Sequence, residues 1–215
     1  MEERKITDYI DNSLKTYKIT PDSKEYPLLL KNIKKPPKIL YAQGNLTILN
    51  KPAIAIVGTR KPSKKGRLAA EKIAKFFVEK GFGIVSGLAQ GVDSIAMKAA
   101  IESNGSVIGV LPSSLDNVVP KKNVTLAEDI LNTNGVLVTE YPEGNKVQKY
   151  QFINRNRIIS GISMAITIVE TAAKGGTMHT VNFAKEQVRP ILVVDLPAEG
   201  NMLLKEEDYP IISIK

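Results

Sequence analysis

Residues 53–60 read AIAIVGTR, an unbroken apolar run that ends in Gly-Thr-Arg. A short apolar run closed by glycine predicts a fully buried strand of a parallel sheet. The segment 64–80 that follows has helical periodicity, with Ser63 as its predicted N-cap and Gly81 as its predicted stop. The stretch therefore predicts a strand, a glycine turn and a helix.

The turn after this strand is the first candidate functional element. In an open α/β sheet such a turn lies at the carboxyl end of the strand, where these sheets bind ligands. Gly58, Thr59 and Arg60 are therefore placed to contact a phosphate. The alternative is a tight turn with a solvated arginine.

From residue 53 onward, apolar runs alternate with helix-length segments. The runs are 53–57, 83–85, 107–111, 136–138, 165–169 and 191–194, and the helical segments are 64–80, 92–103, 126–132, 152–163 and 177–187. This alternation predicts right-handed crossovers and a mostly parallel, doubly wound, Rossmann-like α/β sheet. The first turn does not read G-x-G-x-x-G, so the usual dinucleotide fingerprint is absent.

Three segments are predicted around this alternation. Residues 1–35 form a short helical extension, with helices near 6–14 and 26–33, that packs on the main domain. Residues 36–200 form the Rossmann-like domain; its lead-in has a strand at 38–42, a turn at 43–45 and a second extended piece at 46–49, at the edge of the main sheet. Residues 201–215 form a tail that is either a final strand or part of an interface.

The composition excludes several classes of protein. The chain has 215 residues, 43% of them hydrophobic, with no cysteine and one histidine. These counts exclude a disulfide framework, a thiolate metal site and a multi-histidine metal site. No apolar run approaches the roughly 20 residues that span a bilayer, and the charged start is unlike a signal peptide, so we expect a cytoplasmic protein without membrane contact. The net charge of +8 favours a polyanionic partner, although genome bias towards lysine is an alternative.

The loops after the second and third strands of the predicted parallel sheet carry further anion-binding candidates. Ser86 and Gly87 end a strand and lead into a helix, so their backbone N–H groups are available to an anion. Asp93 is predicted to cap that helix, and its alternative role is to accept from a sugar hydroxyl. Lys121 and Lys122 precede the next helix, where they either meet phosphate or are solvated.

The loop after the fourth strand places aromatic residues among lysines. Lys149, Tyr150 and Phe152 follow an irregular turn that contains proline and glycine. This mixture suits single-stranded nucleic acid, because bases stack on rings and phosphates pair with lysines. The alternative for Phe152 is a core position at the start of a helix.

The segment FINRNRII at 152–159 contains two arginines that cannot share a helix face. Arg155 and Arg157 lie about 200° apart around a helix axis, so one points towards the sheet and the other outward. An inward arginine needs a carboxylate, and Glu170 at the end of the fifth strand is the predicted partner. Which of the two arginines is structural stays open.

A second glycine pair follows the fifth strand. Gly175 and Gly176 precede a helix whose predicted N-cap is Thr177, which makes a second anion cradle. The two cradles lie close together if the sheet is doubly wound. His179 has no serine or aspartate partner in a recognisable arrangement, so we assign it no catalytic role.

Six blocks of the sequence, in this order and spacing, resemble the DprA/Smf family of DNA-processing proteins. The blocks are VGTR, SGLAQGVDSIAMKAAI, GVLP, TEYPEG, FINRNRIISGIS and IVETAAKGGTMHTVNFAKEQ, and the resemblance covers about residues 26–197. Met97 stands where the family usually has a histidine. We expect a short form of the family, without the C-terminal winged-helix module of many members.

The resemblance implies a Rossmann-like domain that binds single-stranded DNA, forms a homodimer and acts in recombination and natural transformation by helping to load the RecA recombinase. It implies no catalytic activity and no cofactor. Whether RecA is a partner of this chain stays open. The implied DNA-binding residues are Gly58, Thr59, Arg60, Ser86, Gly87, Lys121, Lys149, Phe152, Asn154, Arg155, Arg157, Gly175, Gly176 and Thr177.

Two other functions are compatible with the same predicted fold. One is a nucleotide sensor or a phosphoribohydrolase-like enzyme, but the loop at 174–179 lacks the proline, the last glycine and the glutamate that such enzymes carry there. The carboxylates that remain as unpaired candidates to assist glycosidic cleavage are Asp93, Asp116, Glu140 and Glu170. The other is an interaction module on a degenerate scaffold, in which the loop chemistry would have no use.

Overall fold

The computed structural model describes residues 15–214, which form a nine-stranded sheet with helices on both faces. The strands are β1 Tyr17–Ile19, β2 Leu40–Gly44, β3 Ala53–Val57, β4 Gly83–Ser86, β5 Val107–Val110, β6 Val136–Thr139, β7 Ala165–Ile168, β8 Ile191–Val194 and β9 Ile211–Ile212. The helices are α1 Leu28–Lys31, α2 Lys64–Glu79, α3 Val92–Glu102, α4 Val124–Asn132, α5 Lys149–Ile162, α6 Gly176–Glu186 and α7 Glu199–Glu206. Two short 3-10 helices span Leu46–Asn50 and Lys121–Asn123.

Strands β3 to β6 and β8 are apolar on both faces, so they contribute to two core layers. In β3, Ala55 and Val57 face one layer and Ile56 faces the other, and the whole strand is buried. The first layer contains buried residues of α1, α5, α6 and α7, and the second contains those of α2, α3 and α4. The helices therefore cover both faces, as the alternation of strands and helices predicts.

The strand order creates a switch point beside β3. The order is β1-β2-β6-β5-β4-β3-β7-β8-β9. All neighbours from β6 to β9 in this order are parallel, whereas β2 is antiparallel to both β1 and β6. The chain runs outward from β3 to β6 and then returns to place β7 on the other side of β3. Connections that leave β3 and β7 in opposite directions open a crevice at their carboxyl ends, which is the usual ligand position in such sheets. The predicted fold class is confirmed.

The first strand, turn and helix form as predicted. The Ser63 hydroxyl caps α2 by accepting a hydrogen bond from the Gly66 N–H at 3.0 Å. Gly81 follows the end of α2 with a φ of 82°, a left-handed conformation that favours glycine. Both predicted boundaries of this helix are confirmed.

The lead-in differs from the prediction at two points. Gln43 and Gly44 continue β2 instead of forming a turn, because they pair with β6. Residues 46–50 form a 3-10 helix instead of an extended piece, because the Asn45 side chain caps it by accepting from the Thr47 N–H at 3.0 Å. The helix predicted near 6–14 lies outside the described residues.

The segment before β2 joins the main sheet and its core. The unpredicted strand β1 pairs with β2, and Tyr26 and Leu30 are buried in the same layer as α5. The Tyr26 hydroxyl donates to the carbonyl of Pro37 at 2.7 Å. A Cβ on Gly161 would lie 2.5 Å from the Leu30 side chain, so glycine allows α1 to approach α5 closely.

The tail contributes the last strand of the sheet. The final strand expected as one alternative for this segment forms, since β9 pairs in parallel with β8. Within residues 15–214, no helix is long and apolar enough to cross a membrane.

Candidate functional site

A recess of about 470 Å³ lies at the switch point between β3 and β7. The loop after β3 and the loop after β7 form two of its walls, and side chains of α3, α5 and α6 complete it. Of the residues predicted to form the site, those that line the recess are Gly58, Thr59, Arg60, Phe152, Arg155, Gly175, Gly176 and Thr177.

The Gly58–Arg60 loop is held by backbone hydrogen bonds on both sides. The Thr59 N–H donates to the carbonyl of Glu170 at 2.7 Å, and the Thr59 carbonyl accepts from the Val92 N–H at 3.1 Å. Gly91 has a φ of 84°, and a Cβ there would lie 2.4 Å from the Thr59 carbonyl oxygen. The loops after β3, β4 and β7 are therefore locked together around one backbone segment.

Arg60 and Phe152 meet in the lining of the recess. The guanidinium carbon of Arg60 lies 5.8 Å from the centroid of the Phe152 ring, within cation–π range. Arg60 is exposed, and no ion pair found among residues 15–214 involves it. Phe152 is only half-buried, so it lines the recess and does not fill the core. A free cation therefore stands beside an accessible aromatic face.

Lys149 and Asn154 lie on the same helix as Phe152 but do not line the recess. Both are exposed, and Lys149 is the first residue of α5, one turn before Phe152. Residues three apart on a helix are surface neighbours, so the Lys149 side chain lies on the side of α5 that carries Phe152. It extends the positive charge beyond the recess.

Two buried side chains of opposite charge, Asp93 and Arg155, line the deep side of the recess. Both residues are 5% exposed. The guanidinium of Arg155 donates to the carbonyls of Gly87 and Val110, the latter at 2.6 Å. The carboxylate of Asp93 accepts from the Gly87 N–H at 3.0 Å and more weakly from the Ala89 N–H at 3.4 Å. The N–H of Gly87 is therefore bound by Asp93, and the carbonyl of Gly87 is bound by Arg155.

Burial favours the uncharged forms of Asp93 and Arg155, whereas the attraction between their opposite charges favours the charged forms. Burial raises the pKa of Asp93, while Arg155 and the N–H donors of Ala89 and Gly87 hold that pKa down. Burial lowers the pKa of Arg155 to about 10, an effect that Asp93 opposes and Arg60 reinforces. Arg155 therefore keeps its charge at neutral pH, but its donors point at protein carbonyls.

Three predicted roles at this site are wrong. The inward arginine is Arg155, and its counter-charge is Asp93, because the Glu170 carboxylate accepts instead from the N–H and hydroxyl of Ser63 at 2.8 and 3.1 Å. Asp93 does not cap α3, because that helix begins one residue earlier, at Val92, and the carboxylate turns back to the preceding loop.

Thr177 does not cap α6 either. That helix begins at Gly176, with Gly175 in the capping position, so Thr177 already lies inside the first turn. The Asn156 side chain, which the sequence did not indicate, supports this turn by donating to the Gly176 carbonyl at 3.3 Å. Thr177 and Thr180 are buried and line the recess.

Arg157 forms an ion pair away from the recess. Its guanidinium donates to both carboxylate oxygens of Glu140 at 2.8 and 2.6 Å, and its Nε donates to the carbonyl of Lys35 at 3.1 Å. These contacts join α5 to the loop after β6 and to the lead-in. Arg157 is not among the residues that line the recess.

Ser86 and Lys121 also lie outside the lining. The Ser86 hydroxyl is fully buried and donates to the Ile56 carbonyl at 2.7 Å. Lys121 is exposed and donates to the Asn117 side chain at 2.9 Å. Two residues further on, the Asn123 side chain donates to the Leu88 carbonyl at 2.8 Å, which joins the Lys121 segment to the loop after β4.

Asn201 is a supporting residue that no sequence pattern indicates. Its fully buried side chain accepts from the Thr171 N–H and donates to the carbonyls of Val169 and Val194, each at 2.9 Å. A single asparagine in the C-terminal segment has no spacing or motif to distinguish it. In the fold it fixes the start of the loop that forms one wall of the recess.

The chemistry of the lining favours an anion. Its charged side chains are Arg60, Arg155 and Asp93, and the last two neutralise each other. In the described part of the chain, no group of three or more histidine, aspartate or glutamate residues could hold a metal ion. The recess thus offers one free cation, a helix start and an aromatic ring.

Comparison with known proteins places this arrangement in a family context. The family model described as DNA recombination-mediator protein A matches residues 17–207. The DNA processing protein DprA of Bacillus subtilis is 38% identical over 192 residues, which are 89% of this chain and 64% of that protein. The chain therefore spans less than two thirds of the length of this relative.

Two solved structures resemble the fold over most of its length. The X-ray structure of DprA from Streptococcus pneumoniae has a TM-score of 0.86 and 29% identity, covering 97% of this chain and 75% of that one. A structure of DprA from Helicobacter pylori, described as showing a unique single-stranded DNA binding mode, has a TM-score of 0.83 and 29% identity, covering 92% of this chain and 91% of that one.

Proposed function

This chain belongs to the DNA recombination-mediator protein A family, and we propose that it binds single-stranded DNA at the carboxyl edge of its parallel sheet. The observation that carries the proposal is the pairing of Arg60 with Phe152 in the recess. A cation beside an accessible aromatic ring provides for both parts of an unpaired nucleotide, because the phosphate pairs with the guanidinium and the base stacks on the ring.

The position of Phe152 favours a single strand over a duplex. Its half-buried ring lies in a recess, so a base must leave its stack to reach it. An unpaired base does so at little cost, whereas a base in a duplex must first lose its pairing and stacking, which costs a few kcal/mol.

The proposed roles of the site residues differ with their surroundings. Arg60 contacts phosphate directly, and the exposed Lys149 and Lys121 attract the strand at longer range. The walls of the recess come from Gly58, Thr59, Gly175, Gly176 and Thr177, and Asn154 is exposed beside it. We propose that Ser86, Gly87, Arg155 and Arg157 support the site without touching DNA, because their polar groups bind the protein itself.

We propose that the chain acts by binding and needs no cofactor. The carboxylate that lines the recess is Asp93, and it accepts from the N–H groups of Gly87 and Ala89. Glycosidic cleavage needs a carboxyl group that reaches the substrate, which a carboxylate turned towards its own backbone does not supply. The phosphoribohydrolase-like alternative is therefore disfavoured.

We also propose a homodimer that works in the cytoplasm and passes its DNA to the RecA recombinase. The candidate dimer surface is the edge of the sheet at β9, where Ile211 is 43% exposed and the neighbouring helix α7 exposes Met202 at 54%. An unpaired edge strand with apolar side chains favours association. Light scattering on the wild type and on Ile211→Lys tests the dimer, and the rate of RecA filament formation on coated DNA, with and without the chain, tests the partner.

The test of DNA binding compares oligo-dT with a duplex of equal length by fluorescence anisotropy, at two salt concentrations. We expect preference for the single strand. Arg60→Ala should weaken binding and reduce the slope of log K against log salt by about 0.7, since one phosphate contact is lost. Phe152→Leu should cost about 1–3 kcal/mol of binding energy and leave the slope unchanged.

Arg67→Ala is the matched control, because Arg67 is exposed on α2 and does not line the recess. It should bind like the wild type. Equal affinity for both nucleic acids, or an Arg67→Ala variant as weak as Arg60→Ala, would contradict the proposed site.

A further inference from the structure

The recess is closed on the side of the sheet. Val57 and Ile159 are at most 4% exposed, and with the buried pair of Asp93 and Arg155 they form its deep wall. Its volume of about 470 Å³ falls in the range of small-molecule sites, ~300–1,000 Å³. A strand must therefore enter and leave on the solvent side, whereas a strand end or a free nucleotide needs only to enter.

Hydrogen-bond donors without partners gather at the start of α6. The N–H groups of Gly176 and Thr177 have no acceptor among the described residues, as expected for the first turn of a helix. The hydroxyls of Thr177 and Thr180 have no hydrogen-bond partner in residues 15–214 either, and these residues are only 8% and 2% exposed and line the recess. Neither hydroxyl oxygen is itself buried, so both are open to the recess and can donate to a ligand there.

The number of donors and their charge suit a phosphomonoester better than a phosphodiester. A monoester has three terminal oxygens and a charge near −2, while a diester within a strand has two such oxygens and one charge. Two N–H groups and two hydroxyls at the positive end of a helix, with Arg60 in the lining, match the larger and more highly charged group. The carboxylate of Asp93 turns to the Gly87 N–H, and the opposite charge of Arg155 beside it in the lining reduces its repulsion of the phosphate.

We infer that the recess binds a nucleotide through a terminal phosphomonoester, with the phosphate at the start of α6 and the base towards Phe152. The inference rests on the proposed function and adds to it a preference for one kind of ligand. The same chemistry has two sources, a free nucleoside monophosphate and the 5′-phosphorylated end of a DNA strand.

The experiment uses the whole chain and short oligo-dT labelled away from the tested end. Anisotropy titrations compare strands with a 5′-phosphate, a 5′-hydroxyl and a 3′-phosphate, and competition compares dTMP with thymidine. We expect the 5′-phosphate to tighten binding about tenfold, and dTMP but not thymidine to displace the strand. The 3′-phosphate has the same charge at the other end and should give no gain.

Variants locate the effect. Thr177→Val and Thr180→Val should each reduce the ratio of the affinity for the 5′-phosphate strand to the affinity for the 5′-hydroxyl strand. Thr125→Val is the control, because Thr125 is exposed on α4 and does not line the recess. The wild-type ligand comparison stands even if a buried threonine variant fails to fold.

The outcomes separate this inference from the proposed function. If a 5′-phosphate tightens binding, the ligand of the recess is the end of a DNA strand. If dTMP competes but the 5′-phosphate gives no gain, the ligand is a free nucleotide. If neither occurs while the 5′-hydroxyl strand still binds, the inference is overturned and the proposed function stands. If dTMP binds and no strand does, the inference stands and the proposed function is refuted.

Discussion

Replacing Arg155 should destabilise the fold far more than replacing an exposed arginine. Arg155→Met leaves the carboxylate of Asp93 buried without its counter-charge and leaves the carbonyls of Gly87 and Val110 without a donor. Each buried carbonyl left without a donor costs about 1–3 kcal/mol, and the uncompensated charge of Asp93 adds to this, so we expect a loss of about 3–5 kcal/mol. For a chain of this size each kcal/mol lowers Tm by about 2–4 °C, so Tm should fall by roughly 10 °C.

The loss in free energy of unfolding should depend on pH, and the titration of Asp93 determines whether the loss grows or shrinks as pH falls. Burial already raises the pKa of this carboxyl above its usual range, and Arg155 opposes that shift. Without Arg155 the folded-state pKa rises further above the unfolded value of about 3.9, so the folded state binds the proton more tightly. The destabilisation is then present at neutral pH and diminishes as pH falls through the folded-state pKa.

The assay is urea unfolding of wild type, Arg155→Met and the double variant Asp93→Asn/Arg155→Met at about pH 8 and pH 5. The single variant should lie furthest from wild type at the higher pH. The double variant should recover the part of the loss that comes from the uncompensated carboxylate, and its free energy of unfolding should differ less between the two pH values than that of the single variant, because no buried charge remains. Arg67→Met controls for the loss of one surface charge.

A free energy of unfolding for Arg155→Met within about 1 kcal/mol of wild type at pH 8 would refute the buried-pair account. So would an equal deficit at both pH values. If Arg155 instead contacts phosphate, the double variant will reduce the salt dependence of DNA binding by about 0.7, whereas a supporting residue leaves that dependence unchanged.

Two further predictions concern the loops around the recess. Gly91→Ala should weaken oligo-dT binding at least about tenfold, because its Cβ meets the Thr59 carbonyl oxygen at 2.4 Å, while Gly144→Ala, with a similar φ of 75° and open space around it, should bind normally. Asn201→Ala should lower the free energy of unfolding by about 3 kcal/mol, because three buried backbone groups lose their partner, and urea unfolding beside the exposed control Asn182→Ala will measure it.

The fold was predictable where local pattern and tertiary context agree. Strands β3 and β8 have the predicted bounds, because a short apolar run with breaks on both sides has few alternatives to a buried strand. The three residues of β1 were missed, because Tyr17–Ile19 has no strand pattern of its own and pairs only because β2 provides an edge. The 3-10 helix at Leu46–Asn50 depends on a cap at Asn45 that an apolar run does not reveal.

The site was predictable as a location but not as a set of contacts. Parallel strands bring their carboxyl ends to one edge, so the loops after β3 and β7 had to be neighbours. The predicted partner of Arg155 was wrong, because the partner depends on side-chain conformations that the pattern of strands and helices does not specify. Glu170 follows the neighbouring strand, yet its carboxylate reaches Ser63, while Asp93 turns back from the first turn of α3.

The contacts within the protein also limit how much charge the DNA can meet. Arg155 donates to the carbonyls of Gly87 and Val110 and Arg157 pairs with Glu140, so these two arginines of α5 are unavailable to phosphate. The exposed cations proposed for binding are Arg60, Lys121 and Lys149. If all three neutralise a phosphate, the slope of log K against log salt is about −2, whereas engaging Arg155 and Arg157 as well would give about −3.5. A measured slope near the smaller value, with a large loss for Phe152→Leu, would mean that stacking supplies much of the affinity and that the net charge of +8 serves mainly to attract the strand.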